Sequence, residues 1–513
     1  PHWLVFDSDE DVAAIEVNRE NKTDYNAAHR IETTIWLGNP LVVNQCSSGE
    51  LTLAGVVGGN GSITKRGDGV LVLEAANNTT LSSDLIVEEG VLCAADPNAL
   101  GTGDVLLRGG DLHLRADDDA LFPNRVEATA DAALRVEPDA GGAGARLAVG
   151  EFKSVGGLAF TIGGSGGYGL AVAGETRFTL GAGSVCTLET ATADLTLEGT
   201  VQVMGGTLRK TGPAALTFAS DDPADMDFWE ETTLIVEDGT VRFHADAGAA
   251  DRRNLVVQVD GSGAVEFAST QHLADLHLAD GTVTCVPHGA RALVTGDLQI
   301  DETGGAGDAL LDLADNNLVV DYDGPGPNDT LYDAIEGWVT TGYNGGNWNG
   351  NPGNPATGIT TADGDAGLYA LGVLDNGAPP AGINQLTTLD GEDLVDLVGD
   401  LDCIIVRYTY YGDADMNGEV DFDDVQRLIL SYNVPPAGDA RWAEADFNYD
   451  NVVDFTDVQL LIAGWNLQGA PLGDGPAPVV GGSAGGIPTP EPATLALLGL
   501  GAVAMLARRR RTR

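Results

Sequence analysis

The chain reads as mainly β, many short strands stacked as a solenoid, with a small helical unit near its C-terminal end. Three observations predict this. Gly accounts for 70 of 513 residues and aromatics for 6%, which with plentiful Val, Leu and Thr favours short strands and tight turns. From about residue 31 to 320, short apolar-polar alternations are broken by Gly, Asn or Asp every ~8–12 positions. Two blocks of this region also recur, as expected of units that bury little alone and must stack.

Lys and Arg number 26 against 77 Asp and Glu, a formal net charge of −51. Such a surface repels phosphate backbones and excludes nucleic acid as a partner; it suits an extracellular surface and cations. The five cysteines, Cys46, Cys93, Cys186, Cys285 and Cys403, are far apart, with no metal-type spacing and no disulfide framework, so mostly buried thiols in strands are expected. Residues 1–30 form an N-terminal segment that starts at Pro1 without an apolar leader, so a removed signal peptide or an incomplete N-terminus is expected.

Residues 31–309 carry the alternation, in runs such as Leu51–Leu53, Val70–Leu73, Leu85–Val87, Val105–Leu107, Leu195–Leu197 and Leu234–Val236. The first repeated block, Gly61 to Leu73, aligns Lys65, Gly67 and Leu71 with Lys210, Gly212 and Leu216 of the second, Gly206 to Phe218. A following block, Leu85 to Leu92, aligns with Leu234 to Val241; the two offsets are 145 and 149 residues. Residues 61–92, with Asn77, Asn78 and Thr79, resemble the autotransporter-associated β-strand repeat. Residues 206–241 match more loosely, with Pro213 and Ala214 after Gly212. The resemblance implies a right-handed parallel β-helix in a surface protein. No terminal outer-membrane barrel is visible, so self-translocation is not expected.

Residues 310–412 read as a connecting β-segment, resembling the stretch that joins such repeats to calcium modules. The tract 343–349, aromatic and Asn-rich, reads first as a turn-forming loop and second as a sugar contact. The strand at 403–411 leads straight into an acidic loop.

Residues 413–468 hold the strongest chemistry. Calcium takes six to eight oxygens, and a twelve-residue loop supplies them from positions 1, 3, 5, 7, 9 and 12. In the first loop these are Asp413, Asp415, Asn417, the Glu419 carbonyl, Asp421 and Asp424; in the second, Asp446, Asn448, Asp450, the Val452 carbonyl, Asp454 and Asp457. Position 6, which wants a left-handed backbone, is Gly418 or Asn451. Each loop runs into a predicted helix with an apolar stripe, Val425, Leu428, Ile429 and Tyr432 or Val458, Leu461, Ile462 and Trp465, at a shared offset of 33. Two calcium ions are therefore expected. Asp at position 12 and the lack of a clear preceding helix set the unit apart from a calmodulin-like hand; it resembles a type I dockerin. That implies docking to a cohesin-like domain, read by positions 10 and 11. These are Phe422, Asp423, Phe455 and Thr456, where cohesin binders often carry small hydroxyl residues. Clamping the end of the β-region is the other expectation.

Residues 469–487 are a Gly/Pro-rich linker. Residues 488–513 place Pro490, Glu491 and Pro492 before an uncharged run, Ala493 to Ala507, and then Arg508, Arg509, Arg510 and Arg511. As a helix that run is roughly 22 Å long, short of a ~30 Å hydrocarbon core. The order resembles the PEP-CTERM sorting signal, which implies export, transient membrane tethering through the C-terminal helix and cleavage by an exosortase-type enzyme. The acidic clusters Asp117–Asp119 and Asp221–Asp227 fall in turns, and no nucleophile, zinc or phosphate motif is present, so no catalytic residues are expected. The expected function is structural or adhesive, at the cell envelope or in a matrix. The alternative is polysaccharide binding, or degradation by a lyase or hydrolase.

Overall fold

The computed structural model describes residues 3–6, 12–17 and 28–465, except 47, 77, 288–290, 302–308, 323, 351–355, 363, 365–367, 391, 396–400 and 435–439. The described chain is mainly β and winds into a parallel solenoid of about 12 turns. Three columns of strands stack along it. In the first, Leu41, Ile63, Leu85, Val105, Val126, Phe152, Thr176, Val201 and Met226 succeed one another, one coil at a time. The second runs through Leu51, Leu71, Leu92, Leu112, Leu134 and Ile162. The third runs through Leu147, Leu170, Leu195, Leu216, Val241, Val265, Val283 and Leu311. The alternation read from the sequence becomes inward and outward faces, as in Leu41–Gln45, where every second side chain is buried. Each buried Leu, Val or Phe contributes roughly 1.5–3 kcal/mol against exposure. Stacked phenylalanines continue the core, with Phe218 and Phe243 rings 4.6 Å apart and Phe243 and Phe267 rings 5.6 Å apart. All five cysteines are free. Burial pushes the Cys93, Cys186, Cys285 and Cys403 thiols up to about 12, so they act as small apolar core groups.

The recurring blocks share one device. Lys65 is fully buried, and its ammonium donates to the carbonyls of Arg66 (3.0 Å), Gly67 (2.5 Å) and Glu89 (3.1 Å). Lys210 does the same to Thr211 (3.2 Å), Gly212 (2.7 Å) and Asp238 (2.7 Å). Three N–H donors meet three carbonyls, two from the lysine's own turn and one from the next coil. Burial pushes both amines down to about 8. Gly239 closes this cage: its φ is +69°, and a Cβ there would sit 2.5 Å from Gly212 O and 2.8 Å from Lys210 Nζ.

The two cages occupy different corners. The first block turns from the first column (Ile63–Arg66) into the second (Val70–Leu73). The second block turns from the second column (Thr207–Thr211) into the third (Leu216–Phe218). The repeat thus recurs as a corner, out of phase with the coil.

The solenoid continues into the stretch read as a connecting segment. Ala309–Asp312 stacks on Gly281–Cys285, Asn317–Asp321 on Ala292–Ile300, and Thr357–Thr360 on Ala309–Asp312. A helix that the sequence reading lacked, α1 (Asp329–Tyr343), is inserted here and capped by Asn328. Parallel stacking then stops: Cys403–Tyr410 pairs antiparallel with Asn317–Asp321 on one edge and with Tyr369–Asp375 on the other. Trp348, in the tract with a sugar-contact alternative, is 4% exposed and donates from its indole to the Tyr411 hydroxyl (3.2 Å), so it packs in the core.

Candidate metal centre

The strand Cys403–Tyr410 is buried along its whole length and delivers the chain into the first acidic loop. Two of its side chains reach that loop: Thr409 donates its hydroxyl to Asp413, and Arg407 donates to the Met416 carbonyl.

Both loops close on themselves in one pattern, 33 residues apart. Position 1 accepts loop amides: Asp413 from Asn417 (3.0 Å) and Gly418 (2.9 Å), Asp446 from Asp450 (3.3 Å) and Asn451 (2.8 Å). Position 12 reaches back across the loop. Asp424 accepts from Ala414 (2.8 Å) and Asp421 (2.7 Å), and Asp457 from Phe447 (2.8 Å) and Asp454 (2.9 Å). Position 9 caps the following helix, Asp421 for α2 (Phe422–Ser431) and Asp454 for α3 (Phe455–Gly464), each in a capping box with position 12. The left-handed backbone expected at position 6 is present at Gly418 (φ +90°) and Asn451 (φ +65°), and also at position 4, Met416 and Tyr449.

Asp413, Asp424, Asp446 and Asp457 are buried, Asp415, Asp421, Asn448 and Asp454 partly so, and Asn417, Glu419, Asp450 and Val452 exposed. Carboxylate oxygens of Asp413, Asp415 and Asp424 lie within 4.8 Å of one another. In the second loop position 3 is the amide Asn448 and position 5 the carboxylate Asp450, the reverse of Asp415 and Asn417, so each loop offers four side-chain carboxylates from positions 1, 3, 5, 9 and 12. Burial pushes Asp413, Asp424 and Asp446 up to about 7 and Asp457 up to about 6, and raises Asp415 as well. Carboxyls this costly to ionise in isolation are what a bound cation would hold ionised.

The helix stripes are narrower than expected. Val425, Leu428 and Leu461 are buried, Tyr432, Val458 and Trp465 half-buried, and Ile429 and Ile462 exposed. Gly464 lies against the Tyr411 carbonyl, with Val420 close by.

The unit sits on the end of the solenoid. The buried Trp442 indole donates to the Asp413 carbonyl (2.8 Å) and lies against Gly372 of the Tyr369–Asp375 strand. The Tyr449 hydroxyl donates to Leu371 O, and Arg441 pairs with Asp329 (3.0 Å) and Asp333 (3.2 Å) while covering the Tyr332 ring at 4.1 Å. None of Arg407, Thr409, Trp442 or Tyr449 was singled out in the sequence. Loop spacing points to the acidic positions alone, and these four act through the tertiary fold; an Arg in an otherwise uncharged strand, 403–411, was the one visible hint.

Residues 488–511 match the PEP-CTERM protein-sorting motif. The signal indicates an exported protein sorted to the cell surface and implies processing by an exosortase-type enzyme. No curated protein and no solved structure matches the chain. Pro490–Pro492, the run 493–507, Arg508–Arg511 and the linker 469–487 lie outside the described residues. Among the described residues no helix is long and apolar enough to cross a membrane.

Proposed function

We propose that this protein is a non-catalytic surface or matrix scaffold whose β-solenoid is closed at its C-terminal end by a calcium-ordered, dockerin-like loop–helix pair. One observation carries the reading: two acidic loops of identical internal bonding bury four carboxylates against the terminal strands. The donor set fits a hard cation, being all oxygen, with the position-6 backbone conformation that a tight twelve-residue loop needs. Asp413, Asp415, Asn417, the Glu419 carbonyl, Asp421 and Asp424 would hold one ion. Asp446, Asn448, Asp450, the Val452 carbonyl, Asp454 and Asp457 would hold the other. Calcium there would supply fixed positive charge at the centre of each loop. The contacts of Trp442 and Tyr449 with the Tyr369–Asp375 strand and of Arg441 with α1 favour an intramolecular clamp, which covers strand edges that a solenoid end would otherwise expose.

Titration calorimetry of the chelator-treated protein tests this. Two calcium ions bound, with a raised melting temperature, are expected; no uptake of calcium at millimolar concentration would end the proposal.

A second reading, docking of a partner domain, is favoured by the exposure of Phe422 and Phe455, 64% and 61% at equivalent loop positions, although they stand where cohesin binders often carry small hydroxyl residues. Phe422→Ala with Phe455→Ala should leave calcium uptake intact and abolish capture of such a partner. Capture undiminished by both changes would exclude this face.

A further inference from the structure

We infer that the corner between the first and second strand columns is a binding ledge for an uncharged polysaccharide, anchored at one end by Trp229. The inference starts from missing charge. One residue in five of the chain is charged, yet the corner segments 154–159, 178–187 and 203–208, on three successive coils, carry none; the fourth corner follows Trp229 with the exposed Glu230 and Glu231, so charge enters only at that end of the strip. Their outward side chains form a column. Val155 pairs in register with Thr179, whose hydroxyl lies 3.8 Å from Met204 Sδ, and the Trp229 amide bonds to Val203 O (3.0 Å) on the next coil. Val155 is 55% and Trp229 49% exposed, and the corner is paved with glycine at 156–157, 181, 183 and 205–206. At a strand spacing of about 4.8 Å, four coils give a flat strip roughly 14 Å long.

The chemistry selects the occupant. A second copy would bring another −51 of charge against the first, so self-association is disfavoured. A protein partner needs roughly 800 Å² of well-packed surface, and a glycine ledge offers few side chains to interlock. A neutral sugar chain needs what is present: an aromatic face for its C–H groups and polar groups at the ring edge for its hydroxyls. The Trp229 ring is held by its Nε1 bond to Asp227 (3.4 Å), and Asp227 is held by Arg252 (3.2 Å), which sets a carboxylate and a guanidinium beside the indole. The stacked coils repeat at about the length of one pyranose unit, so successive sugars would meet equivalent backbone. Export places this ledge where extracellular glycans are.

Co-sedimentation of the full chain with insoluble cellulose, chitin and curdlan tests it, with polygalacturonate coupled to insoluble beads as the charged control. At least one neutral glycan should retain the protein, polygalacturonate should not, and Trp229→Ala should weaken retention at least tenfold with unchanged melting. Val155→Asp, at the far end of the strip, should weaken it without touching the indole. Retention by none of the three neutral glycans overturns the inference, as does equal retention of wild type and both variants. Sedimentation velocity showing a dimer that Val155→Asp dissociates would make the strip a self-interface instead.

Discussion

Withdrawing calcium while raising the pH from 5 to 8 should melt the loop–helix pair. The buried carboxyls Asp413, Asp424 and Asp446 are pushed up to about 7 and Asp457 to about 6, from an ordinary value of 3.8. Between those limits the folded state holds protons that the unfolded chain has released. Without calcium, stability is therefore highest in acid and is lost as pH rises from about 4 to 7. One pKa unit corresponds to about 1.36 kcal/mol, so a single group displaced by three units carries about 4 kcal/mol. Asp413 repels Asp424, and Asp446 repels Asp457, so one displaced proton per loop is the safer count. The sum, at most roughly 8 kcal/mol, is comparable to the whole stability of an ordinary domain. Calcium inverts the trend, because it binds the ionised form and adds about 2.7 kcal/mol per site at a hundredfold excess over its Kd. Helix ellipticity during thermal melts of the full chain, at pH 5, 6, 7 and 8, with chelator or calcium, reads both arms. A chelator series in which the helix transition stays level or climbs toward pH 8 would show that these carboxyls are not the destabilising groups.

Three further outcomes are expected. Lys210→Met strands three carbonyls; charge-assisted bonds worth about 1.5–3 kcal/mol each are lost, partly offset by no longer burying an ammonium, for a net cost of about 2–4 kcal/mol. Hydrogen exchange should localise that loss to the coils around 207–243 and leave those near Lys65 unchanged. Gly239→Ala should cost about 1–3 kcal/mol by denaturant midpoint, through its positive φ and the carbonyl contacts, and should add poorly to Lys210→Met because both act on one cage. Trp442→Ala should cost about 3–5 kcal/mol and weaken calcium uptake by the first loop more than by the second, since the indole bonds to Asp413 itself. Equal weakening of both loops, by calorimetry, would argue against that local route.

Much of this was legible, and what was not has physical causes. Loop spacing is local, so the run of acidic positions and the left-handed position 6 could be read directly. What the loops rest on could not, because Trp442 and Tyr449 meet Gly372 and Leu371 only after the antiparallel strands have formed. Helix α1 did carry a signal: Tyr332, Ile335, Val339 and Gly342 are its buried residues, spaced close to the helical period. Gly337, Gly342 and three threonines lower its intrinsic propensity, and the surrounding β pattern hid it. Its packing explains Gly342, since a Cβ there would overlap the Ile359 carbonyl of the neighbouring coil strand.

The internal repeat shows most directly how a correct sequence signal can carry the wrong unit. Blocks 145 and 149 residues apart suggest a repeated coil, yet Lys65 and Lys210 serve different corners. The reason lies in what the motif satisfies. A lysine, a left-handed glycine two residues on and a second glycine on the next coil form a cage that refers only to its own turn and the one stacked beside it. Nothing in it depends on which pair of columns it joins. Any corner where the chain turns between parallel strands can take it, provided the next coil turns at the same place. Lengthening the coils between the two blocks therefore moves the motif to another face at no cost to the cage. The unit the sequence repeats is the corner, and the coil is assembled from corners.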